Sequence, residues 1–291
     1  MTQPLIIAHR GASGDRPEHS LAAHQLAIEQ GADIIEPDLI FSRDGELLVR
    51  HDLGLARSTD IAHRPEFAGR SVAWEAGQDW LAADLDWREL QALRCREPWP
   101  QRLQAFDGRY RILRLTDLLD LAQTESLRRD RPILVYPETK HPAWHRARGL
   151  DFVTALSDLC RDRGLHGFDA PVWWQSFEWD VLDALRERTG LRCHALIDAQ
   201  TTFEPAELRG RFDGVGIAKQ RIDPRTSAGR ALLDALLANN LNVHAWTFRH
   251  DLPGPGWPDA DSELSAYLRL PLEAVFCDFP RRALACRAAL G

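Results

Sequence analysis

Short apolar, β-branched runs alternate with amphipathic stretches almost to the end of the chain. The runs at 5–9, 34–38, 132–138, 172–177, 192–198, 214–219, 242–248 and 274–278 predict strands buried on both faces. Between them, apolar positions recurring every three to four residues predict helices over 18–30, 116–128, 151–163, 178–188, 227–240 and 280–290, with Gly31 and Gly164 placed as C-caps. Strand–helix alternation of this kind predicts a parallel sheet, and eight such units in 291 residues fit an α/β (β/α)8 TIM barrel better than an open sheet.

Three stretches depart from the alternation. Leu39–Ser42 and Leu47–Arg50 flank Asp44-Gly45 and predict a hairpin with a two-residue turn. With Arg43 opposite Glu46, that register sets Asp38 directly opposite His51, with Cβ atoms about 4.5–5.5 Å apart. A one-residue slip turns His51 to the other face. Residues 52–115, rich in Trp, Arg, Asp and Pro with a helical piece near 86–94, are too long for a structureless loop and read as a small inserted subdomain over the barrel mouth. The Pro/Gly/Asp-rich 249–262 reads as a surface loop near the same rim. The whole of 1–291 is thus one barrel domain carrying one insertion.

Composition narrows the partners. The formal net charge of −7 leaves no basic excess to neutralise a nucleic-acid backbone, so any anion site is local. No apolar run reaches a membrane span, and the residues before the first strand lack a charged-then-apolar leader. The address expected on this reading is cytoplasmic, or periplasmic if a leader was removed. Cys95, Cys160, Cys193, Cys277 and Cys286 are scattered without a CxxC pair, so neither a disulfide framework nor a zinc site is indicated. Oligomeric state is not legible from the pattern.

Barrel active sites gather at the C-terminal ends of the strands, and the chemistry-bearing residues fall there. His9 closes strand one, Glu36 and Asp38 strand two, and Glu138 and Lys140 strand three; Gln175, Lys219, Trp246 and Thr247 end later ones. Glu36 and Asp38 share a face because i and i+2 do so on a strand. Three carboxylates on one mouth suit one hard dication, Mg²⁺ or Ca²⁺; the competing reading is three salt bridges to barrel arginines. His9 and His51 beside them are candidates for general acid and base, the two roles that phosphodiester cleavage needs. Arg10 offers a fork for phosphate oxygens, with an ion pair to Glu18 or Glu36 as its alternative role. Lys140, two residues beyond Glu138, faces the same way. Lys219, Trp246 and Phe177 are candidate substrate contacts, or barrel core in the case of the aromatics. The other nine histidines, His141, His145 and His166 among them, lack this context and read as surface or core.

These residues resemble the glycerophosphodiester phosphodiesterase family. The resemblance rests on His9-Arg10-Gly11, Pro17-Glu18-His19-Ser20, Gly31-Ala32-Asp33 leading to Glu36-Pro37-Asp38, Asp44-Gly45, His51-Asp52, Glu138-Thr139-Lys140, Trp246-Thr247 and Cys277-Asp278-Phe279-Pro280. It implies a TIM barrel with a small insertion after the His-Asp pair, a divalent metal on Glu36, Asp38 and Glu138, and an acid/base pair at His9 and His51. Glu18, beside Arg10, joins the phosphate- or substrate-binding set. His19 stands where the family usually has Asn, and Cys277 where it has Thr; both departures point to substrate preference.

The expected reaction is hydrolysis of a small-molecule glycerophosphodiester to glycerol 3-phosphate and an alcohol. Two rivals share the barrel. A sphingomyelinase D-like phospholipase would need an apolar or basic collar, against which the acidic balance argues; no stable membrane insertion is expected. A non-catalytic phospho-ligand-binding barrel would lack some of the catalytic groups, and none of the main polar residues is missing.

Overall fold

The computed structural model describes residues 3–75 and 77–291. Strand β1 (Leu5–His9) runs into a tight loop and then helix α1 (Leu21–Gln30), which Ser20 caps by accepting from the Ala23 N–H. The loop exists because of Gly11. Its φ is +80°, and a Cβ there would stand 2.6 Å from the Ala23 carbonyl carbon, so only glycine lets the end of β1 press against α1. Beyond α1 come β2 (Ile34–Glu36), β3 (Asp38–Phe41) and β4 (Leu47–Val49).

Residues 52–115 then form a short hairpin, β5 (Val72–Trp74) with β6 (Gly77–Asp79), and one helical turn, α2 (Trp87–Leu90). The chain continues through α3 (Leu115–Arg129), β7 (Leu134–Val135), β8 (Glu138–Thr139), α4 (Pro142–Arg146), α5 (Phe152–Arg163), β9 (Trp173–Ser176) and α6 (Trp179–Thr189). It ends with β10 (Arg192–Ile197), α7 (Pro205–Leu208), β11 (Gly214–Ala218), α8 (Ser227–Ala238), β12 (Asn242–Phe248), α9 (Ala260–Leu268), β13 (Ala274–Cys277) and α10 (Pro280–Ala288).

The strands close into a parallel barrel. β1 pairs with β2 on one side and with β13 on the other, and the ladder continues β8–β9–β10–β11–β12–β13. β2 and β3 are one strand broken at Pro37, and β7 and β8 one strand broken at Pro137. The lower pieces pair with each other, and so do the upper pieces, with Asp38 in register with Glu138. Proline has no N–H to donate, which is why each ladder breaks there and resumes one residue later. Ile7, Ile34, Tyr136, Trp173 and Phe276 fill the interior, while Ile6, Ala8, Ile35 and Leu39 pack outward against the helices. Each fully buried aliphatic side chain of this kind is worth about 1.5–3 kcal/mol. A third apolar cluster, including Leu53, Leu55, Ile61, Leu81, Leu90 and Ile112, sits on Ile40 and Leu48 of the hairpin.

Two expectations are corrected. The hairpin pairs Leu39 with Val49 and Phe41 with Leu47, one residue away from the register expected for a two-residue turn. Its loop is three residues long, Arg43 to Gly45, because Gly45 adopts φ +87° and Ser42 pairs with Glu46. Arg50, rather than His51, therefore lies opposite Asp38, donating its N–H to the Asp38 carbonyl at 2.9 Å. Helix α9 also begins inside the stretch read as loop, at the point where Asp259 caps it by accepting from the Ser262 N–H. Helices α4 and α7 escaped the periodicity because each is too short to show a period. Among the described residues no helix is long and apolar enough to cross a membrane.

Candidate active site

The C-terminal rim surrounds a cavity of about 450 Å³. Nine of the eleven candidate side chains line it: His9, Arg10, Glu36, His51, Glu138 and Lys140 on the charged side, with Phe177, Lys219 and Trp246 beyond. Asp38 and Glu18 lie just behind that surface, 1% and 3% exposed.

Glu36 and Asp38 flank Pro37, and Glu138 stands beside Asp38 on the neighbouring strand. Each offers an oxygen within 4.8 Å of the others. Burial and the charges of Asp38 and Glu138 push the Glu36 carboxyl well above its ordinary range. Burial likewise raises Glu138, to about 8, against the pull of the Lys140 ammonium 2.6 Å away. Asp38 goes the other way. Burial opposes its ionisation, but Lys140 at 3.9 Å and Arg10 Nε at 3.1 Å overcome it.

Arg10 is built into this cluster from both ends. Its backbone, at φ +59°, donates N–H to Glu36 Oε2 at 2.9 Å, and its guanidinium reaches Glu18 Oε2 at 3.0 Å as well as Asp38. The ion-pair role foreseen for Arg10 is thus present with Glu18, and with Asp38 in place of Glu36, while the side chain still faces the cavity. Four buried carboxylates meet two cations here. The deficit of positive charge fits one divalent ion, which the oxygen donors of Glu36, Asp38 and Glu138 suit.

Both imidazoles are oriented through Nδ1. His9 Nδ1 lies 2.7 Å from Asp278 Oδ1, and His51 Nδ1 lies 2.5 Å from Asp52 Oδ1. In each case Nε2 is left for the cavity. Burial, then the Arg10 charge, lowers His9, with its bond to Asp278 pulling the other way. His51 is brought down to about 4 by burial and by Arg10 and Lys140. His51 reaches the cavity despite the shifted register because β4 ends at Val49. The chain bends at residue 51, and strand parity no longer governs where the side chain goes. Arg50 turns away from the cavity to Ser58 and Cys95.

The remaining wall mixes aromatic and charged groups. Trp246 sits at a register shift in β12 and meets the edge of Phe177 at 5.8 Å. Lys219 is bound to Glu263 of α9 at 2.7 Å, and Glu263 also accepts the Gly254 N–H at 3.0 Å, so this lysine ties the 249–262 loop to the barrel while facing the cavity.

Several roles escaped sequence reasoning. Asp278, which orients His9, also receives Arg102 at 2.6 Å and Arg249 at 3.2 Å. Arg102 comes from the 52–115 stretch, and no local signal connects it to residue 278. Gln175 donates to Glu36 Oε1 at 3.1 Å. His19 and Cys277, the two departures from the family pattern, are both buried and neither lines the cavity. His19 instead puts Nε2 2.8 Å from Asp38 Oδ2, behind the carboxylate cluster.

A parallel barrel whose rim joins a carboxylate trio to two aspartate-backed imidazoles and paired cations carries the groups that phosphodiester hydrolysis uses. Residues 9–282 match the model of the glycerophosphoryl diester phosphodiesterase family, and the chain belongs to that family. It is 28% identical over 285 residues to the glycerophosphodiester phosphodiesterase GDPD6 of Arabidopsis thaliana, covering 86% of this chain and 76% of the relative. Among solved structures it resembles a glycerophosphoryl diester phosphodiesterase of Silicibacter pomeroyi, with TM-score 0.77, 20% identity and coverage of 100% of this chain and 95% of that one. It also resembles a phosphodiesterase of Oleispira antarctica solved with the product sn-glycerol-3-phosphate, with TM-score 0.71, 20% identity and coverage of 98% and 96%.

Proposed function

We propose that the chain hydrolyses small-molecule glycerophosphodiesters to glycerol 3-phosphate and an alcohol, using one Mg²⁺ or Ca²⁺ ion held by Glu36, Asp38 and Glu138. One observation carries the reading: separate strand ends and the turns after them bring Glu36 and Glu138, with Asp38 just behind them, two imidazoles with free Nε2 atoms, and Arg10 and Lys140 to a single cavity. When bound, the cation supplies Lewis-acid withdrawal of charge from a phosphate oxygen.

The chain's own residues do the rest. Arg10 and Lys140 face the phosphoryl oxygens and stabilise the charge that builds on them. One of His9 and His51, neutral at the outset, takes the proton from the nucleophile through Nε2, and the other, charged at the outset with its aspartate beside Nδ1, delivers its Nε2 proton to the departing alkoxide. Asp278 and Asp52 fix each ring's tautomer and support its charged form when it arises. The apolar wall of Phe177, Trp246 and Leu252 excludes water beside the carbon skeleton of the substrate. Residues 52–115 serve as an insertion over the mouth, a reading supported by their separate apolar cluster and by the reach of Arg102 to Asp278.

The test is product analysis with a panel of soluble glycerophosphodiesters, glycerophosphocholine first. Release of glycerol 3-phosphate and the free alcohol, with no gain when bilayers are added, is the expected result. Turnover confined to lipid vesicles would transfer the reading to a phospholipase, and tight binding without turnover would make the barrel a binding protein. The nucleophile is either water or the substrate's own glycerol C2 hydroxyl closing to a cyclic phosphate that water then opens; an analogue lacking that hydroxyl separates the two, since continued cleavage requires water.

A further inference from the structure

A second group of ligand-type side chains lies inside the barrel near the opposite, N-terminal end of the strands. His194 is the third residue of β10, His244 the third of β12, and Glu273 immediately precedes β13. His244 Nε2 is 2.6 Å from Glu273 Oε2, and His194 Nε2 is 4.0 Å from the same oxygen. Donor atoms of all three lie within 4.8 Å of one another. The two imidazole rings face each other with centroids 4.5 Å apart, against Tyr136 and Trp173. His194 is fully buried, yet neither of its ring nitrogens has a hydrogen-bond partner among the described residues.

His24 and His145 are also buried with both nitrogens unpartnered, but among the described residues only His194 joins that condition to a trio of converging donors, and the combination sets the cluster apart from ordinary core. A neutral imidazole carries one donor and one lone pair, and burying both unpaired is costly. Packing alone does not call for it, since Trp173 and Phe276 fill the same interior with less penalty. We propose that His194, His244 and Glu273 form a second cation site, for a divalent transition metal of the zinc class, that staples β10, β12 and the entry to β13 at the barrel floor.

Donor chemistry selects the class. Two imidazole nitrogens with one carboxylate suit Zn²⁺ or Co²⁺ rather than Mg²⁺ or Ca²⁺, the reverse of the oxygen-only rim. Ligands at about 2.0–2.2 Å from one tetrahedral ion stand about 3.3 Å apart. The two imidazole–carboxylate separations, 2.6 and 4.0 Å, each lie within an ångström of that figure. Tyr136 supplies the outer partner. Its hydroxyl is 3.0 Å from His244 Nδ1, and an Nδ1–H donated to it leaves the Nε2 lone pair for the metal. Burial, with the charges of His244, Arg192 and Arg186, holds His194 well below its ordinary value, so its lone pair is free at neutral pH. Arg192 Nη1, 3.7 Å from Glu273 Oε1, is the facing cation that an ion must compete with. Glu273 is 24% exposed, which opens the floor to an entering ion and to a solvent molecule as fourth ligand.

Co²⁺ is the probe, because four-coordinate cobalt with nitrogen ligands absorbs visible light strongly and six-coordinate oxygen-bound cobalt does so weakly. The full chain carrying Glu36→Gln and Glu138→Gln, which silence the rim, should bind one Co²⁺ with intense visible bands that Zn²⁺ displaces and excess Mg²⁺ does not. In that background His194→Phe should abolish the bands and Tyr136→Phe should weaken Co²⁺ binding by about 10–100-fold. Should His194→Phe fail to fold, Glu273→Gln, at the partly exposed end, gives the same readout. Should the rim variant fail to fold, wild type with Mg²⁺ saturating the rim replaces it. Absence of intense bands at saturating Co²⁺, or bands that survive both His194→Phe and Glu273→Gln, overturns the proposal.

Discussion

His9 and His51 share one local design: an aspartate on Nδ1, burial of the ring, and a guanidinium or ammonium nearby that disfavours its charged form. His9→Ala or His51→Ala should lower kcat by at least about 10²-fold, the low end for loss of an acid or base. Unchanged turnover in both variants would remove the mechanism. The pH profile follows from the same balance. With His51 as the base, its shift down to about 4 puts the acidic limb of kcat/KM near pH 4 rather than near 6.5. A limb that tracks the ordinary histidine value would place the base elsewhere. These histidines were legible because each ends an apolar run beside carboxylates. Asp278 was not, because its partnership with residue 9 arises only when the last strand closes on the first, and the sequence carries no local trace of that closure.

At the level of elements, Arg102 joins the 52–115 stretch to the barrel. It is buried and holds Asp278 at 2.6 Å and Asp251 at 2.7 Å, so it spans the stretch, the late loop and the partner of His9. Arg102→Ala should cost about 3–5 kcal/mol by stranding buried carboxylates, and should slow turnover as Asp278 shifts. Denaturant unfolding together with kcat measures both, and a neutral effect on both would show that the stretch is only tethered. The barrel strands and main helices were readable because parallel strands are apolar on both faces and the helices carry one apolar stripe. The hairpin register was not. Asp-Gly suits both a two-residue turn and a three-residue loop with glycine last, and the Ser42–Glu46 pairing decides between them. The position of His51 survived that error because the strand had already ended.

Across the whole molecule, the rim concentrates negative charge that the fold itself only partly offsets. Glu18 shows how that charge is linked to stability. Burial pushes its carboxyl up, but Arg10, His19 and His51 bring it down to about 2. A depressed carboxyl stabilises the fold above its unfolded value, about 4.3, and loses that contribution as pH falls toward about 2. Thermal melts should therefore show a shallower acid decline in Glu18→Gln than in wild type over that window; parallel declines would contradict the linkage. Glu36 and Glu138 behave oppositely. Burial and the neighbouring carboxylates raise both, Glu138 to about 8, so cation binding should release a proton from Glu138 and tighten as pH rises toward 8.

Metal-restored hydrolysis tests the central claim most directly. Protein stripped with a chelator is assayed on glycerophosphocholine, and Mg²⁺ or Ca²⁺ is then returned singly to wild type and to Asp38→Asn. Activity should vanish on stripping and return with one hard dication, and the variant should need a higher concentration of it. Full turnover by the stripped protein, or an identical metal requirement in Asp38→Asn, would contradict a cation held by Glu36, Asp38 and Glu138.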